Sequence, residues 1–335
     1  MITFITRRIL LAFLTVWVIS VLSFYIIELP QGDAIERMFA RTMGYNEALA
    51  LEMLENLRLE LGLDEPKHVR YAMWIGRLLK GELGQTMMAS TGIESQRPLK
   101  EILGDRLWTT IALSGFTVIV TWTLAIPIGI YSAIRQHSLG DYAFTLIGFT
   151  GLAVPDFLLG LVLMYVAFAY FGKSVGGLFS ANYINAPWGF AKAMDLLDHL
   201  WIPALVLGTS GTAGLIRVMR NNLLDELGKP YVVTAKSKGV ASWRVILKYP
   251  LRVAINPFIS TIGYLLPGLI SGSVIVSVVL SLPTLGPILL EAILNEDTTT
   301  AGFIILMLGT LTAIGTLISD VLLAAVDPRI KFTRQ

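Results

Sequence analysis

Six apolar stretches recur along this chain, and they limit what it can fold into more than any other feature. They cover roughly residues 9–27, 107–134, 142–171, 200–216, 254–280 and 301–326. A bilayer core of about 30 Å is crossed by about 20 apolar residues in a helix. Only 15% of the 335 residues are charged, which is unusual for a soluble protein of this length. The sequence therefore predicts an all-α, polytopic membrane protein with six transmembrane helices.

The first apolar run begins just after Arg7 and Arg8, so its start resembles that of a secretory signal. The run continues for about 19 residues to Ile27, and no small-x-small cleavage site follows it. We therefore expect residues 1–28 to hold a retained first span. The chain has no cysteine, which excludes disulfides and thiolate metal sites. A net charge of +2 gives no indication of a nucleic-acid partner.

Lysine and arginine are distributed unevenly between the loops on the two sides of the membrane. With six spans, the start, the loops 135–141 and 217–253 and the tail from Asp327 share one side and carry 14 of these residues. The short loops on the other side carry two, and segment 29–106 is too long for the comparison. Because positively charged loops stay in the cytoplasm, both termini and loop 217–253 are predicted to be cytoplasmic.

Residues 29–106 form one sizeable segment between the first two spans, and the predicted topology places it outside. Its stretch NEALALEMLENLRLELGL has apolar residues at a spacing of four and ends near Gly62. The stretch VRYAMWIGRLLKG repeats this pattern before Gly81. We expect a small external helical cap, which is either a solvated lid or a docking surface for an external protein. Residues 107–335 would form the core of five further spans.

Glycine and proline mark several of the apolar runs. Pro127, Pro155, Pro257 and Pro267 lie inside or near the start of such runs, where proline removes a backbone hydrogen bond and can kink a helix. Glycines recur at a spacing of three at Gly208, Gly211 and Gly214, which favours close packing against other spans. The alternative is that kinks and small residues line a path that opens and closes.

Few ionisable residues fall within the runs, and Asp156, directly after Pro155, lies nearest to the middle of one. An ion-coupled carrier is expected to bury carboxylates or histidines near the midplane, and a single candidate does not make a relay. Pro155, Asp156, Ser271 and Ser277 are our candidates for lining a translocation pathway. The three histidines lie in three different loops, and no stretch resembles a hydrolase, protease or dinucleotide-binding motif. The sequence therefore predicts no enzyme, no metal site and no cofactor in this chain.

The stretch YVVTAKSKGVASWRVILKYP, residues 231–250, is basic and lies between two apolar runs. Pro230 suits the first turn of a helix that would end at Gly239, a residue typical of a left-handed helix end. Ser242 is placed to cap a second helix. On that helix Arg244, Lys248 and Arg252 would follow one another on one face. Charge and periodicity leave two readings open, a basic helix lying on anionic lipid and an element that binds a partner protein.

The segment TAKSKG, residues 234–239, resembles the cytoplasmic signature of permease subunits in bacterial ABC importers, which is written EAA-x3-G followed by I-x-L-P. Ala235, Gly239 and Leu251 match it, whereas Thr234 replaces an alanine and Arg252 the closing proline. Other stretches resemble the oligopeptide/dipeptide branch of that family over nearly the whole length. They are RRILLAFLTVWVISVLSFYIIELPQGD, LGLDEP, GELGQT, RPLKEILGDRLWTTIAL, SLPTLG and SDVLLAAVDPRI.

The resemblance implies a pore-forming, non-catalytic subunit of an ATP-driven, binding-protein-dependent importer in the bacterial plasma (inner) membrane. It also implies as partners a second homologous permease, two cytoplasmic ATPase subunits that bind ATP and Mg²⁺, and an extracytoplasmic solute-binding protein, with lipid around the spans. The coupling residues carried over are Thr234, Ala235, Lys236, Lys238, Gly239, Ser242 and Arg244.

Three alternatives stay open beside this expectation. Di- and oligopeptides are the expected substrates, with oligosaccharides or other small solutes as the alternative within the same class of transporter. An ion-coupled secondary transporter and a structural membrane scaffold are the alternatives from other classes.

Overall fold

The fold is known from a computed structural model that describes residues 2–28, 65–83, 99–172, 176–184, 186–260, 274–295 and 297–326. Every regular element in these ranges is a helix, as the sequence predicts. The eleven helices with defined bounds are α1 (Ile2–Glu28), α2 (Lys67–Lys80), α3 (Leu99–Ile134), α4 (Leu139–Ala153), α5 (Asp156–Phe171), α6 (Phe190–Leu227), α7 (Pro230–Ser237), α8 (Ser242–Lys248), α9 (Pro250–Ala254), α10 (Leu285–Leu294) and α11 (Thr298–Val326).

Three of the described helices, α1, α3 and α11, are long and apolar enough to cross a membrane. Two bent pairs raise the number of candidate spans to five if each pair counts as one span. One pair is α4 with α5, and the other consists of the two halves of α6. The predicted run 254–280 falls partly outside the described residues. The predicted external helix that ends near Gly62 lies wholly outside them, and so do Pro267 and Ser271.

The described residues fall into two compact units. The first is drawn from Met1–Ala12, Thr109–Gly286 and Leu311–Gln335, and the second from Phe13–Trp108 and Pro287–Thr310. In the first unit, one apolar cluster is centred on fully buried Ile202, Val206 and Leu280. A second is centred on Met219, Leu223 and Phe258. Helix α6 contributes to both clusters, so it is the central helix of this unit.

The third apolar run is broken at Pro155. Helix α4 ends at Ala153, α5 begins at Asp156, and the two helices meet at an angle of 104°. By contrast, Pro127 and Pro203 lie inside the helices α3 and α6. The prediction of a kink at Pro155 is therefore confirmed in a stronger form, because the chain there leaves the helical conformation altogether.

The regularly spaced glycines of α6 differ in their surroundings. A β-carbon at Gly208 would lie 2.7 Å from Oγ1 of Thr121 on α3, so the two helices approach closely at this point. A β-carbon at Gly211 or Gly214 would meet nothing within 4 Å. The packing prediction is confirmed at one of the three positions.

Helix α2 belongs to the second unit and corresponds to the second predicted helix of the external cap. It ends, as predicted, just before Gly81, its C-cap, which has a φ of +75°. Its side chains pack on those of the spans: the Trp74 ring stacks on Phe303 with centroids 5.4 Å apart, and Tyr71 meets Phe24 at 5.5 Å. An Arg70 amino group lies 2.6 Å from Oε1 of Glu28. The cap helix is therefore fixed to the spans of its unit by aromatic contacts and an ion pair.

Candidate functional site

The basic stretch between α6 and the next apolar run folds as two short helices joined by a tight turn. Helix α7 starts with Pro230 at its first position and ends in the hydrogen-bond pattern of a Schellman motif. The N–H of Gly239 donates to the Lys236 carbonyl at 2.9 Å, and the N–H of Val240 donates to the Ala235 carbonyl at 3.4 Å. Gly239 has a φ of +75°, the left-handed conformation predicted for it.

Helix α8 differs from the prediction at both of its ends. Its N-cap is Ala241, Ser242 is the first helical residue, and no side chain caps the helix, so the prediction of a Ser242 cap is wrong. The helix ends at Lys248, and Pro250 starts α9. Because the helix is interrupted there, Arg252 does not continue the face of Arg244. Its Nε instead donates at 3.3 Å to the carbonyl of Val326 at the end of α11.

A small apolar core holds the two helices together as a hairpin. Val232 and Val245 are fully buried and Ala235 nearly so, and Leu227 and Tyr249 pack against them. Leu227 is the last residue of α6, so the hairpin (residues 230–248) is packed directly against the end of that long helix. The hairpin and the end of α6 therefore share one set of buried contacts.

The other face of the hairpin is exposed and combines apolar with basic side chains. Trp243 is 60% exposed, and Val233 and Leu247 are each 54% exposed. The Arg244 guanidinium lies 5.1 Å from the centroid of the Trp243 ring. The exposed basic residues are Lys236, Lys238, Arg244 and Lys248. Such a surface suits an acidic partner that offers an apolar cleft.

The remaining hairpin residues of the predicted set have distinct local roles. Thr234 is exposed, and its Oγ1 donates to the Pro230 carbonyl at 2.9 Å, a bond within the first turn of α7. Ala235 faces the small apolar core. Ser242 is exposed. The structure thus brings all seven predicted residues into one hairpin, while their role in coupling stays a prediction.

The pathway candidates lie apart from the hairpin. Asp156 is the half-buried first residue of α5, and Pro155 is the exposed N-cap of that helix. Ser277 is fully buried and accepts a 3.0 Å hydrogen bond from Oγ1 of Thr284. Ser271 lies outside the described residues. Their assignment to a pathway stays a prediction.

Helix α5 packs against the segment that contains Ser277. A β-carbon at Gly160, one turn beyond Asp156, would lie 3.6 Å from a methyl carbon of Leu280. Leu280 is three residues beyond Ser277. No group of three or more His, Cys, Asp or Glu side chains suited to a metal ion occurs in the described ranges.

One pair of charged residues that the sequence analysis missed joins α4 to α6. Asp141, at the start of α4, accepts hydrogen bonds from Nε and Nη2 of Arg220, each at 3.1 Å. The Asp141 side chain is 3% exposed and that of Arg220 is 25% exposed. The two residues are 79 positions apart, so no local sequence pattern links them.

The chain is similar to proteins of one family over nearly its whole length. A family model described as "Binding-protein-dependent transport system inner membrane component" matches residues 125–332. A second, described as "Binding-prot-dependent transport system membrane comp, N-term", matches residues 1–114.

Among curated relatives, the oligopeptide transport system permease protein AppB of Bacillus subtilis is 32% identical over 332 residues. The match covers 99% of this chain and 100% of AppB. The dipeptide transport system permease protein DppB of Escherichia coli K12 is 28% identical over 347 residues, and the match covers 99% of each chain.

Among solved structures, an inward-facing MetNI methionine ABC transporter has a chain with a similar fold. Its TM-score is 0.51 at 16% identity, and the match covers 69% of this chain and 99% of that one. At this identity the likeness concerns the fold alone.

Proposed function

Because the chain belongs to the family of binding-protein-dependent transport system inner membrane components, we propose that it is the pore-forming permease subunit of an ATP-driven importer of di- and oligopeptides. The observation that carries this proposal is the hairpin of residues 230–248. It lies where the sequence resembles the cytoplasmic signature of such permeases, and it presents an apolar and basic surface. The chain is a multi-pass membrane protein, and its family consists of inner membrane components.

The proposed topology has six spans with both termini in the cytoplasm and segment 29–106 outside. The excess of lysine and arginine in the loops on one side supports this orientation. Helix α2 fits the external segment, since it is fixed to the spans of its unit through Tyr71 and Trp74. The hairpin then faces the cytoplasm, where an ATPase is able to bind it.

The proposed assembly contains a second homologous permease, two ATPases and an external solute-binding protein. ATP and Mg²⁺ bind to the ATPases, and the chain itself catalyses no reaction. The hairpin residues Thr234–Arg244 bind one ATPase, with Trp243 seated in an apolar cleft and the basic side chains opposite acidic ones. Closure of the ATPase pair moves the hairpin together with α6, because Leu227 packs into the hairpin core.

Peptides are the substrate class best supported by the relatives. The two named relatives that this chain covers almost end to end are an oligopeptide and a dipeptide permease. Specificity in such an importer is shared with the binding protein that delivers the solute. The break between α4 and α5 at Pro155, with Asp156 beside it, is the proposed mobile part of the pathway.

Reconstitution tests the proposal directly. The complete transporter is placed in proteoliposomes with ATP on the side of the ATPases, and uptake of a labelled tripeptide and of a labelled oligosaccharide is compared. We expect accumulation of the tripeptide that requires ATP and persists when an uncoupler is added. Uptake that stops with the uncoupler while ATP remains would contradict ATP-driven transport, and accumulation of only the oligosaccharide would contradict the substrate class.

A further inference from the structure

The Asp141–Arg220 pair differs from an ordinary surface ion pair in burial and in geometry. Both oxygens of the Asp141 carboxylate accept a hydrogen bond from the guanidinium, each at 3.1 Å, so the contact is bidentate. Bidentate pairs fix orientation as well as distance. Because the carboxylate is 3% exposed, loss of its partner would leave a buried charge uncompensated. The pair is therefore suited to holding α4 in one position relative to α6.

Asp141 also fixes the turn that precedes α4. Its Oδ2 accepts a 3.0 Å hydrogen bond from the backbone N–H of His137, which has a φ of +63°. Its own N–H donates at 3.2 Å to Oγ of Ser138, the N-cap of α4. One carboxylate thus joins the exposed turn after α3, the first turn of α4 and the side of α6.

The contact between α4 and α6 continues along both helices beyond the ion pair. The Arg217 guanidinium, three residues before Arg220, lies 4.8 Å from the centroid of the Phe149 ring. Farther along, a β-carbon at Gly148 would lie 3.4 Å from that of Ala213. The two helices are therefore in contact over several turns, with the ion pair at the end that lies nearer the hairpin.

Arg220 lies only seven residues before the end of α6, and that end is part of the hairpin core. Leu227 packs with Val232 and Val245, so the hairpin and this part of α6 share buried contacts. A continuous series of contacts therefore leads from the exposed Trp243 surface through α6 to the start of α4. Helix α4 ends at the break before Pro155.

We propose that the Asp141–Arg220 ion pair joins α4 to α6 as one rigid lever, so that a displacement of the hairpin moves the broken third span directly. Both are positioning residues, because they act through the helices that they join. This inference rests on the proposed function, since the displacement originates in ATP-driven closure of the partner ATPases. Rigid transmission predicts that the distance between α4 and the end of α6 does not change when ATP binds.

The experiment measures that distance together with transport. Because the chain has no native cysteine, spin labels attach only at Leu139→Cys on α4 and Asp225→Cys on α6, two exposed positions. The labelled transporter is assembled with its partner subunits, and the distance is measured by pulsed electron paramagnetic resonance with and without ATP. Uptake per ATP hydrolysed is measured on the same preparation.

The test variant is Asp141→Asn. Its side-chain carbonyl oxygen still accepts the His137 N–H, but the side chain is neutral and no longer forms an ion pair with Arg220. We expect the label distance to be independent of ATP in the parent protein and to depend on ATP in the variant. Uptake per ATP should fall about tenfold, which is the size of effect expected when one of two residues in direct contact loses its interaction with the other. Arg220→Lys keeps the charge without the bidentate geometry, and it replaces Asp141→Asn if that variant does not assemble.

Asp320→Asn is the matched control. It breaks another carboxylate–arginine pair of the first unit, in which Oδ2 of Asp320 lies 2.6 Å from Nη1 of Arg8. We expect it to leave the distance between α4 and α6 independent of ATP. A parent protein without ATP-driven uptake would contradict the proposed function itself. With parental uptake intact, normal uptake per ATP in the test variant, or reduced uptake with a distance that does not respond to ATP, would overturn the lever.

Discussion

The backbone N–H of Gly239 lies 2.9 Å from the carbonyl oxygen of Lys236, and this bond closes the turn between α7 and α8. Gly239 has a φ of +75°, which turns the following N–H, that of Val240, back to the Ala235 carbonyl at 3.4 Å; this conformation costs an L-residue with a β-carbon about 1–2 kcal/mol. The space around Gly239 is open, with no other heavy atom within 4 Å of a β-carbon built there. A side chain at this position would therefore act through the backbone and not through a steric clash.

Gly239→Val should uncouple ATP hydrolysis from transport while leaving membrane insertion intact. The strained turn shifts α8 relative to α7, so stimulation of ATP hydrolysis by the loaded binding protein should fall by about tenfold, which corresponds to about 1.4 kcal/mol. Gly228→Val is the control, since Gly228 has a negative φ in the same region. Stimulation at the parental level in Gly239→Val would show that the turn geometry does not matter for coupling.

Trp243→Ala should weaken binding of the ATPase subunits to the permease. An exposed tryptophan beside basic side chains is the type of residue that dominates interfaces, and its truncation typically costs about 2 kcal/mol or more. The affinity of purified ATPase for the solubilised permease measures this loss. Trp188 is an equally exposed tryptophan, 63% against 60%, in the loop between the apolar runs 142–171 and 200–216, which the proposed topology places outside. Trp188→Ala should leave the affinity unchanged. Equal affinities for both variants would argue against the hairpin as the docking site.

Much of the hairpin follows from local sequence, because its main determinants are local. Pro230 fixes the start of α7, and Gly239 fixes its end, since few other residues adopt the left-handed conformation without cost. The predicted end of α8 is wrong because basic residues at a spacing of four, Arg244, Lys248 and Arg252, continue across Pro250 in the sequence, whereas the helix does not. Proline has no N–H with which to continue a helix, and here it begins a new one.

Contacts between distant segments were beyond the reach of pattern analysis. Asp141 and Arg220 are ordinary loop-end residues in the sequence, and only the packing of α4 on α6 brings them together. The same holds for proline within apolar runs: Pro127 lies inside a continuous helix, whereas Pro155 lies in the break between two helices. The pattern of apolar residues is similar in both cases, so it does not distinguish the two outcomes.

Asp156→Asn should leave ATP-driven uptake largely intact. A carboxylate within a span costs about 2.5–3.5 kcal/mol on insertion scales, and here it lies at the N-terminus of α5, where the helix dipole favours a negative charge. Asparagine has nearly the same shape and suits the same position. Uptake into vesicles with ATP and an uncoupler measures the effect. An ion-coupled carrier would lose accumulation entirely in this variant, and that result would contradict the proposed mechanism.

The orientation of the chain is testable because every introduced cysteine is unique in this sequence. Leu79 on α2 is 82% exposed and is predicted to face outward. Gln136, in the exposed turn after α3, is predicted to face the cytoplasm. In intact cells a membrane-impermeant thiol reagent should label Leu79→Cys and not Gln136→Cys, and permeabilised cells should show labelling at both. The opposite pattern in intact cells would reverse the topology and remove the hairpin from the ATPase side.

Gly208→Ala should destabilise the transporter, whereas Gly214→Ala on the same helix should not. The added methyl group at Gly208 would lie 2.7 Å from the Thr121 hydroxyl. Because the χ1 angle of a β-branched threonine is restricted, the hydroxyl does not move away easily and the helices have to separate slightly. Overpacking of this type costs about 1–3 kcal/mol. A β-carbon at Gly214 would meet nothing within 4 Å. Thermal unfolding of the detergent-solubilised complex compares the two, and equal midpoints would contradict the close approach.

The break at Pro155 has a consequence for how the chain enters the membrane during synthesis. Helices α4 and α5 have 15 and 16 residues, or roughly 22–24 Å each, and neither reaches across a bilayer core of about 30 Å. In the proposed topology residues 139–171 are one span, so the insertion machinery has to accept them as one hydrophobic unit. A bend of 104° does not fit a single rod that crosses the membrane, so the bend belongs to the packed protein and not to the newly inserted segment. The proposed topology therefore requires a folding step inside the membrane, in which one inserted segment becomes two helices.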